Sequence, residues 1–260
     1  MTVLLTGAQG RIGSSLTELL PGLGWQLRTF DRSAGGDLTG ELTDPAVLDR
    51  AMAGVEAVVH LAGQPTEGSW SAVRDSNIEG LFQLFEAARR AGVRRVVYAS
   101  SNHAVGFTPR GTAELPADTP PRPDTLYGVS KAFGEALGRY YCDRYGFQVA
   151  CLRIGTFGER PPDQRAQNTW LAPSDCARLV DACLRSEQLD FAQIWGISAN
   201  RHRWWSLAAG ERIGYHPVED AGEYGPAPQP DPTELVGGRY AGPAFGIDEV
   251  ARQNGEEEQS

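Results

Sequence analysis

The chain has 260 residues, 41% hydrophobic and 22% charged, with 24 Lys and Arg against 33 Asp and Glu for a net charge of −9. That length suits one α/β domain with a sizeable core, and the composition is that of an ordinary globular protein. The acidic balance argues against a nucleic-acid binder or an anionic-membrane binder, which carry basic footprints, and no apolar run reaches the roughly 18 residues of a membrane helix.

The N-terminus, MTVLLTGAQG, lacks the basic region and cleavage site of a signal peptide. Residues 2–6 (TVLLT) predict a short strand that runs into glycines. Residues 11–21 have helical spacing, with Ile12, Leu16, Leu19 and Leu20 on one side. Residues 25–30 (WQLRTF) predict a second strand ending at Asp31. A helix over 45–53 follows, with Asp44 as N-cap and Pro45 at the first helical position. Residues 55–62 predict a third strand, 69–91 a helix, 94–100 a fourth strand, 125–146 a long helix and 148–154 another strand. A helix over 173–186 and a strand over 193–198 complete the alternation. Near-continuous apolar strands alternating with helices predict an α/β fold, a doubly wound Rossmann-type parallel sheet covered on both faces.

Residues 1–254 read as a single domain. The pattern loosens over 155–172 and 200–250, which are expected to build the substrate side; the polar ending 255–260 reads as a disordered tail. Cys142, Cys151, Cys176 and Cys183 have apolar neighbours and form no CxxC pair, so they read as buried free thiols of a cytoplasmic protein, with no metal implied.

TGAQGRIG places Gly7, Gly10 and Gly13 between a strand and a helix. Glycines there permit a tight turn and close approach of backbone to a pyrophosphate, which the helix N-terminus attracts. Asp31 lies 18 residues beyond Gly13. A carboxylate there accepts hydrogen bonds from a ribose and repels a 2′-phosphate, favouring NAD. Arg32 beside it works the other way, because an arginine accommodates that phosphate. His60, in HLAG (60–63), reads as a structural histidine at the crevice.

Tyr127 and Lys131 in YGVSK are four apart, hence on one face of the helix. Lys131 is the only lysine in the chain, and its ammonium is a compact charge that a planar guanidinium replaces poorly. Ser101 ends the fourth strand at the same crevice, although a serine pair there also suits an ordinary turn. Together, Ser101, Tyr127 and Lys131 make a proton-transfer unit for hydride chemistry. Tyr127 is the general base, with its pKa pulled down by the neighbouring ammonium.

TGAQGRIG, HLAG, the serine-ended strand, YGVSK and LRIG, in this order, resemble the extended short-chain dehydrogenase/reductases over roughly residues 2–200. Within that superfamily, SSNHAVGF (100–107), LYGVSKAFGE (126–135), LRIGTF (152–157), WGISAN (195–200) and the tryptophan pair 204–205 are similar to uronate dehydrogenases. The resemblance implies NAD-dependent oxidation of D-glucuronate or D-galacturonate at C1 to the aldarolactone. It implies a cofactor cleft lined by Gly7, Gln9, Gly10, Arg11 and Ile12, by Asp31, Arg32 and Leu42, by Leu61, Ala62 and Gly63, and by Tyr127, Lys131 and Phe157. It implies substrate contacts from Ser101, Asn102, His103, Tyr127 and Thr156, with Arg165 clamping the carboxylate. A guanidinium fork suits a carboxylate, although Arg165 alone also reads as a solvated loop arginine, and His103 as a turn residue.

The chain departs from that pattern at Pro65 and Thr156, where the family has serines that touch the sugar. Gln64 or Thr66 could substitute for the first, and the sugar's identity stays open. Three other readings remain: a nucleotide-sugar epimerase or dehydratase, a dehydrogenase of another or a neutral sugar, and a non-catalytic NAD sensor. The helices over 69–91 and 125–146 carry apolar faces (Leu81, Leu84, Phe85; Phe133, Leu137, Tyr140, Tyr141). These suit either a homo-oligomer built on paired helices, as in the extended family, or ordinary core packing.

Overall fold

The structure, a computed structural model, describes residues 1–229, 231, 233–242 and 245. The expected tail at 255–260 lies outside the described residues. Strands β1 (Thr2–Thr6), β2 (Gln26–Asp31), β3 (Leu38–Thr39), β4 (Ala57–His60), β5 (Arg95–Ser101), β6 (Gln148–Ile154), β7 (Thr156–Phe157), β8 (Trp170–Leu171) and β9 (Phe191–Gly196) alternate with helices. Seven of them form one sheet in the order β3-β2-β1-β4-β5-β6-β9, parallel at each pairing. The winding reverses between β1 and β4. The crevice outside their C-terminal ends is therefore the switch point, where such sheets bind ligands.

The period-two alternation of the strands divides the core. Leu5, Val59, Val97 and Leu152 face α1 (Arg11–Leu19) and α7 (Pro173–Arg185). Leu4, Val58, Val96 and Cys151 face α2 (Pro45–Met52), α4 (Gly80–Ala91) and α5 (Leu126–Tyr145). Local chemistry sets the helix ends. Asp44 Oδ1 accepts from the Ala46 N–H at 2.9 Å to start α2. Thr125 Oγ1 accepts from the Gly128 N–H at 2.9 Å to start α5, which stops at left-handed Gly146.

Several elements differ from expectation. The helix anticipated over 69–91 is α3 (Trp70–Val73), a π-helical turn (Arg74–Glu79) and α4. The wider turn carries Asn77, which hydrogen-bonds both Gln64 and Ser130. β4 ends at His60, two residues early, because the Ala62 N–H turns to Thr6 Oγ1 at 3.3 Å. β9 begins at Phe191 rather than 193, where Phe191 pairs with Val149. Within 155–172 the chain forms α6 (Ala166–Thr169) and the small β7–β8 pair. Trp204 and Trp205 are core rather than substrate wall: Trp205 stacks on Trp195 with ring centroids 4.2 Å apart.

All four cysteines are free and buried. Leu81, Leu84, Phe85 and Tyr141 are also buried, so for them core packing is the correct reading. Phe82, Leu126, Val129 and Tyr140 are the exposed apolar positions of α4 and α5. Among the described residues no helix is long and apolar enough to cross a membrane.

Candidate active site

The crevice at the switch point is a cleft of about 830 Å³. Its first wall is the turn after β1. Gly7 sits at φ 72°, and a Cβ there would lie 2.6 Å from the Ala62 nitrogen. A Cβ on Gly13 would collide with the Gly7 carbonyl. The backbone thus packs as only glycine permits, and the N-terminus of α1, with no side-chain cap, opens on the cleft that Gly10, Arg11 and Ile12 line. Asp31, at the end of β2, is fixed by two backbone donors, the Gln9 and Ser33 N–H groups, each at 2.9 Å. The Arg11 guanidinium donates to the Phe157 carbonyl, tying the glycine loop to the strand after β6. Every residue expected to hold the cofactor lines this cleft. The glycine cradle and the fixed carboxylate fit a dinucleotide.

The second wall is α5. Tyr127 and Lys131 are both buried, with Lys131 Nζ 5.3 Å from the centroid of the Tyr127 ring. The Ala99 carbonyl at the end of β5 accepts from that ammonium at 2.8 Å. Ser101 and Tyr127 line the same cleft. Burial lowers the Lys131 pKa to about 8. It pushes the Tyr127 phenol up to about 12, a rise partly offset by its hydrogen bond with Ser101. The expected lowering of the tyrosine is therefore not produced by the protein's own groups: loss of water around the phenol outweighs its polar neighbours.

Residues beyond the sequence reading hold this wall in place. Glu67 Oε2 accepts from the Tyr127 N–H at 2.8 Å, a carboxylate at a helix N-terminus. Asn77 Oδ1 accepts from the Gln64 N–H at 2.7 Å, and its Nδ2 donates to Ser130 Oγ at 3.0 Å. Ser130 in turn donates to the Tyr127 carbonyl at 2.7 Å. His60 is structural as read: it shares a 2.7 Å hydrogen bond with Thr6 Oγ1, and burial lowers its pKa to about 3.

At the substrate end, Ser101, Asn102 and His103 line the cleft, as do Gln64, Pro65 and Thr66. His103 Nδ1 donates to Asp124 at 2.9 Å, which fixes its ring. Asn102 Nδ2 donates to the Val236 carbonyl at 3.0 Å. Thr156 and Arg165 are not brought into the cleft lining. Thr156 Oγ1 pairs with Thr169 Oγ1 at 2.9 Å. Arg165 donates to the Val236 carbonyl, and its Nε lies 3.4 Å from Glu234. The reason is tertiary: residues 234–237 fold back onto residues 106–110 and cover Arg165. Of the described residues in 200–250, only Tyr240 lines the cleft. The Gly-Gly pair at 237–238, two residues before an aromatic, was the one sequence signal for it.

Fold and cleft together define a dinucleotide-binding protein with a buried Tyr–Lys pair in the cleft wall. Residues 3–188 match the NAD dependent epimerase/dehydratase family, and the chain belongs to that family. A uronate dehydrogenase of Pseudomonas putida is 36% identical over 259 residues, covering 94% of this chain and 95% of that protein. An NAD-dependent glucose-6-phosphate dehydrogenase of Haloferax volcanii is 36% identical over 250 residues, covering 85% of this chain and 95% of that enzyme. Among solved structures, a uronate dehydrogenase from Agrobacterium tumefaciens in complex with NAD superposes with a TM-score of 0.83 at 36% identity, covering 92% of this chain and 96% of that one.

Proposed function

We propose that the protein is an NAD-dependent dehydrogenase that oxidises a hexuronate, D-glucuronate or D-galacturonate, at C1 to the aldarolactone. The observation that carries this reading is end-to-end likeness to a uronate dehydrogenase, 36% identity over 94% of this chain. The cleft that brings Ser101, Tyr127 and Lys131 together supports it.

Gly7, Gly10 and the N-terminus of α1 hold the pyrophosphate, and Asp31 the adenosine ribose. When bound, NAD would supply the hydride acceptor for C1 and a positive charge beside the phenol. Ser101 hydrogen-bonds the C1 oxygen. Tyr127 takes the proton of that hydroxyl, so that the C1–O bond becomes the lactone carbonyl. The Lys131 ammonium, held by the Ala99 carbonyl, stabilises the phenolate and would help hold the cofactor. Asn102 and His103 bind sugar hydroxyls, Thr156 supports that end, and Arg165 anchors the carboxylate.

Residues 1–254 work as one unit, to whose cleft the stretch 155–172 gives Gly155 and Phe157 and the stretch 200–250 gives Tyr240. A homo-oligomer forms through the exposed stripe Leu126, Val129 and Tyr140 of α5 with Phe82 of α4. The four reduced thiols suit a cytoplasmic enzyme.

The test follows NADH absorbance with purified protein, NAD and each uronate, with glucose, glucose 6-phosphate and UDP-glucose alongside. Turnover on the uronates and none on glucose supports the assignment. Silence on both uronates, with NAD binding intact, overturns it. The position of Arg165 outside the cleft lining favours one second reading, oxidation of another aldose. Faster turnover on glucose 6-phosphate than on either uronate selects it.

A further inference from the structure

The cleft wall beyond the reacting phenol is aromatic. The ring centroids of Tyr127 and His103 lie 6.0 Å apart at 69°, and those of His103 and Tyr240 lie 5.0 Å apart at 82°. All three residues line the cleft, so they form a row from the phenol toward the substrate end.

Tyr240 is delivered from the far end of the chain by a backbone strap. The Glu234 carbonyl accepts from the Arg110 N–H at 2.7 Å, the Val236 N–H donates to Thr108 at 2.9 Å and the Gly237 N–H donates to Gly106 at 2.9 Å. Gly237 crosses directly over Asp124, where any Cβ would collide with the carboxylate. The turn Gly238–Ala241, entered at φ 58°, then sets Tyr240 beside His103. Arg239 donates to the Tyr240 hydroxyl at 3.1 Å. The carboxylate that orients His103 is thus the one over which the strap passes to deliver Tyr240.

We propose that Tyr240 is a specificity-determining residue whose ring is the platform for the C–H face of the sugar. The inference rests on the uronate reading above. A pyranose carries its hydroxyls around the rim and C–H bonds on its faces, and such a face packs on an aromatic ring. With the C1 hydroxyl at Ser101 and Tyr127, the sugar ring extends along the aromatic row past His103 and lies against Tyr240. D-Galacturonate and D-glucuronate differ in whether the C4 hydroxyl is axial, which changes the face presented. Tyr240 therefore sets the choice between them as well as the affinity.

Steady-state kinetics of wild type, Tyr240→Ala and Tyr240→Leu on both uronates test this, with NAD affinity read from tryptophan fluorescence. Tyr240→Ala raises KM for the preferred uronate about tenfold and shifts the glucuronate-to-galacturonate ratio of kcat/KM. Tyr240→Leu, which keeps bulk without an aromatic face, falls between wild type and Ala. NAD affinity stays within about twofold. Unchanged KM and ratio in Tyr240→Ala, in a protein where wild type turns over a uronate, overturn this proposal and leave the uronate reading standing. A parallel loss of NAD affinity in both variants overturns it too, because the residue is then structural. Wild-type silence on both uronates removes both readings at once.

Discussion

Nε of Arg165 and Oε1 of Glu234 face each other at 3.4 Å, and both are buried with no hydrogen-bond partner among the described residues. The guanidinium assigned to the substrate carboxylate is thus already opposite a carboxylate of the strap. Burial works against its charge as well, lowering the Arg165 pKa.

Removing the competing charge is expected to favour the substrate. Glu234→Gln keeps the size of the side chain and lowers KM for the uronate about fivefold, the worth of one partly screened ion pair. Arg165→Ala raises it while leaving KM for a neutral aldose in place. Kinetics on a uronate and on a neutral sugar, run side by side, check both. A Glu234→Gln enzyme with unchanged KM would remove the carboxylate clamp from Arg165.

The pH profile of kcat/KM reports Tyr127 and Lys131. The phenol is held near about 12 by burial, so the active phenolate fraction grows as pH rises. The lysine, at about 8, loses its ammonium over the same range. The rate therefore climbs toward pH 8 and falls beyond it. Tyr127→Phe lowers kcat about a thousandfold with NAD binding retained. Lys131→Arg is slow but lacks the descending limb, since a guanidinium keeps its proton.

His60 makes stability depend on acidity. Its folded pKa of about 3 lies below the ordinary histidine value of 6.5, so the unfolded chain binds the extra proton between those values. The stabilisation is complete above pH 6.5 and is lost as pH falls toward 3, at most about 1.4 kcal/mol per pH unit. Urea unfolding at pH 7 and pH 5 should give a larger drop for wild type than for His60→Gln. Equal drops would show that the histidine is already exposed to protons in the fold.

Glu135 of α5 and Arg153 of β6 form a buried ion pair with Oε2 to Nη2 at 2.7 Å. Ser100, next to Ser101, donates to Glu135 at 2.6 Å, and Gln193 donates at 2.6 Å from β9. Arg153 donates onward to the Ala117 and Thr119 carbonyls. Glu135→Ala leaves the guanidinium buried and unpaired, at a cost of about 3–5 kcal/mol. The double replacement Glu135→Leu with Arg153→Met recovers a large part of it. Thermal unfolding of the three proteins measures this, and a double variant no better than the single one would make the pair a net stabiliser.

The sequence by itself determined the sheet, its helices, the glycine turn, Asp31 and the Tyr127–Lys131 spacing. Each depends on residues close in the chain: period-two alternation, an i,i+4 interval, or a turn that admits no Cβ. It also nominated Ser101, Asn102 and His103, which line the cleft. Only the tertiary structure decided the substrate end. Arg165 is drawn aside because Val236 and Glu234, 71 and 69 residues away, reach it first. Asn77, Glu67 and Tyr240 enter the site through contacts of 53, 60 and, for Tyr240 against His103, still longer separation in sequence. The tyrosine's raised pKa follows from burial, which no local pattern encodes. Where a group ends in relation to water and to distant backbone is set by the packing of the whole chain, and that packing decides what the cleft recognises.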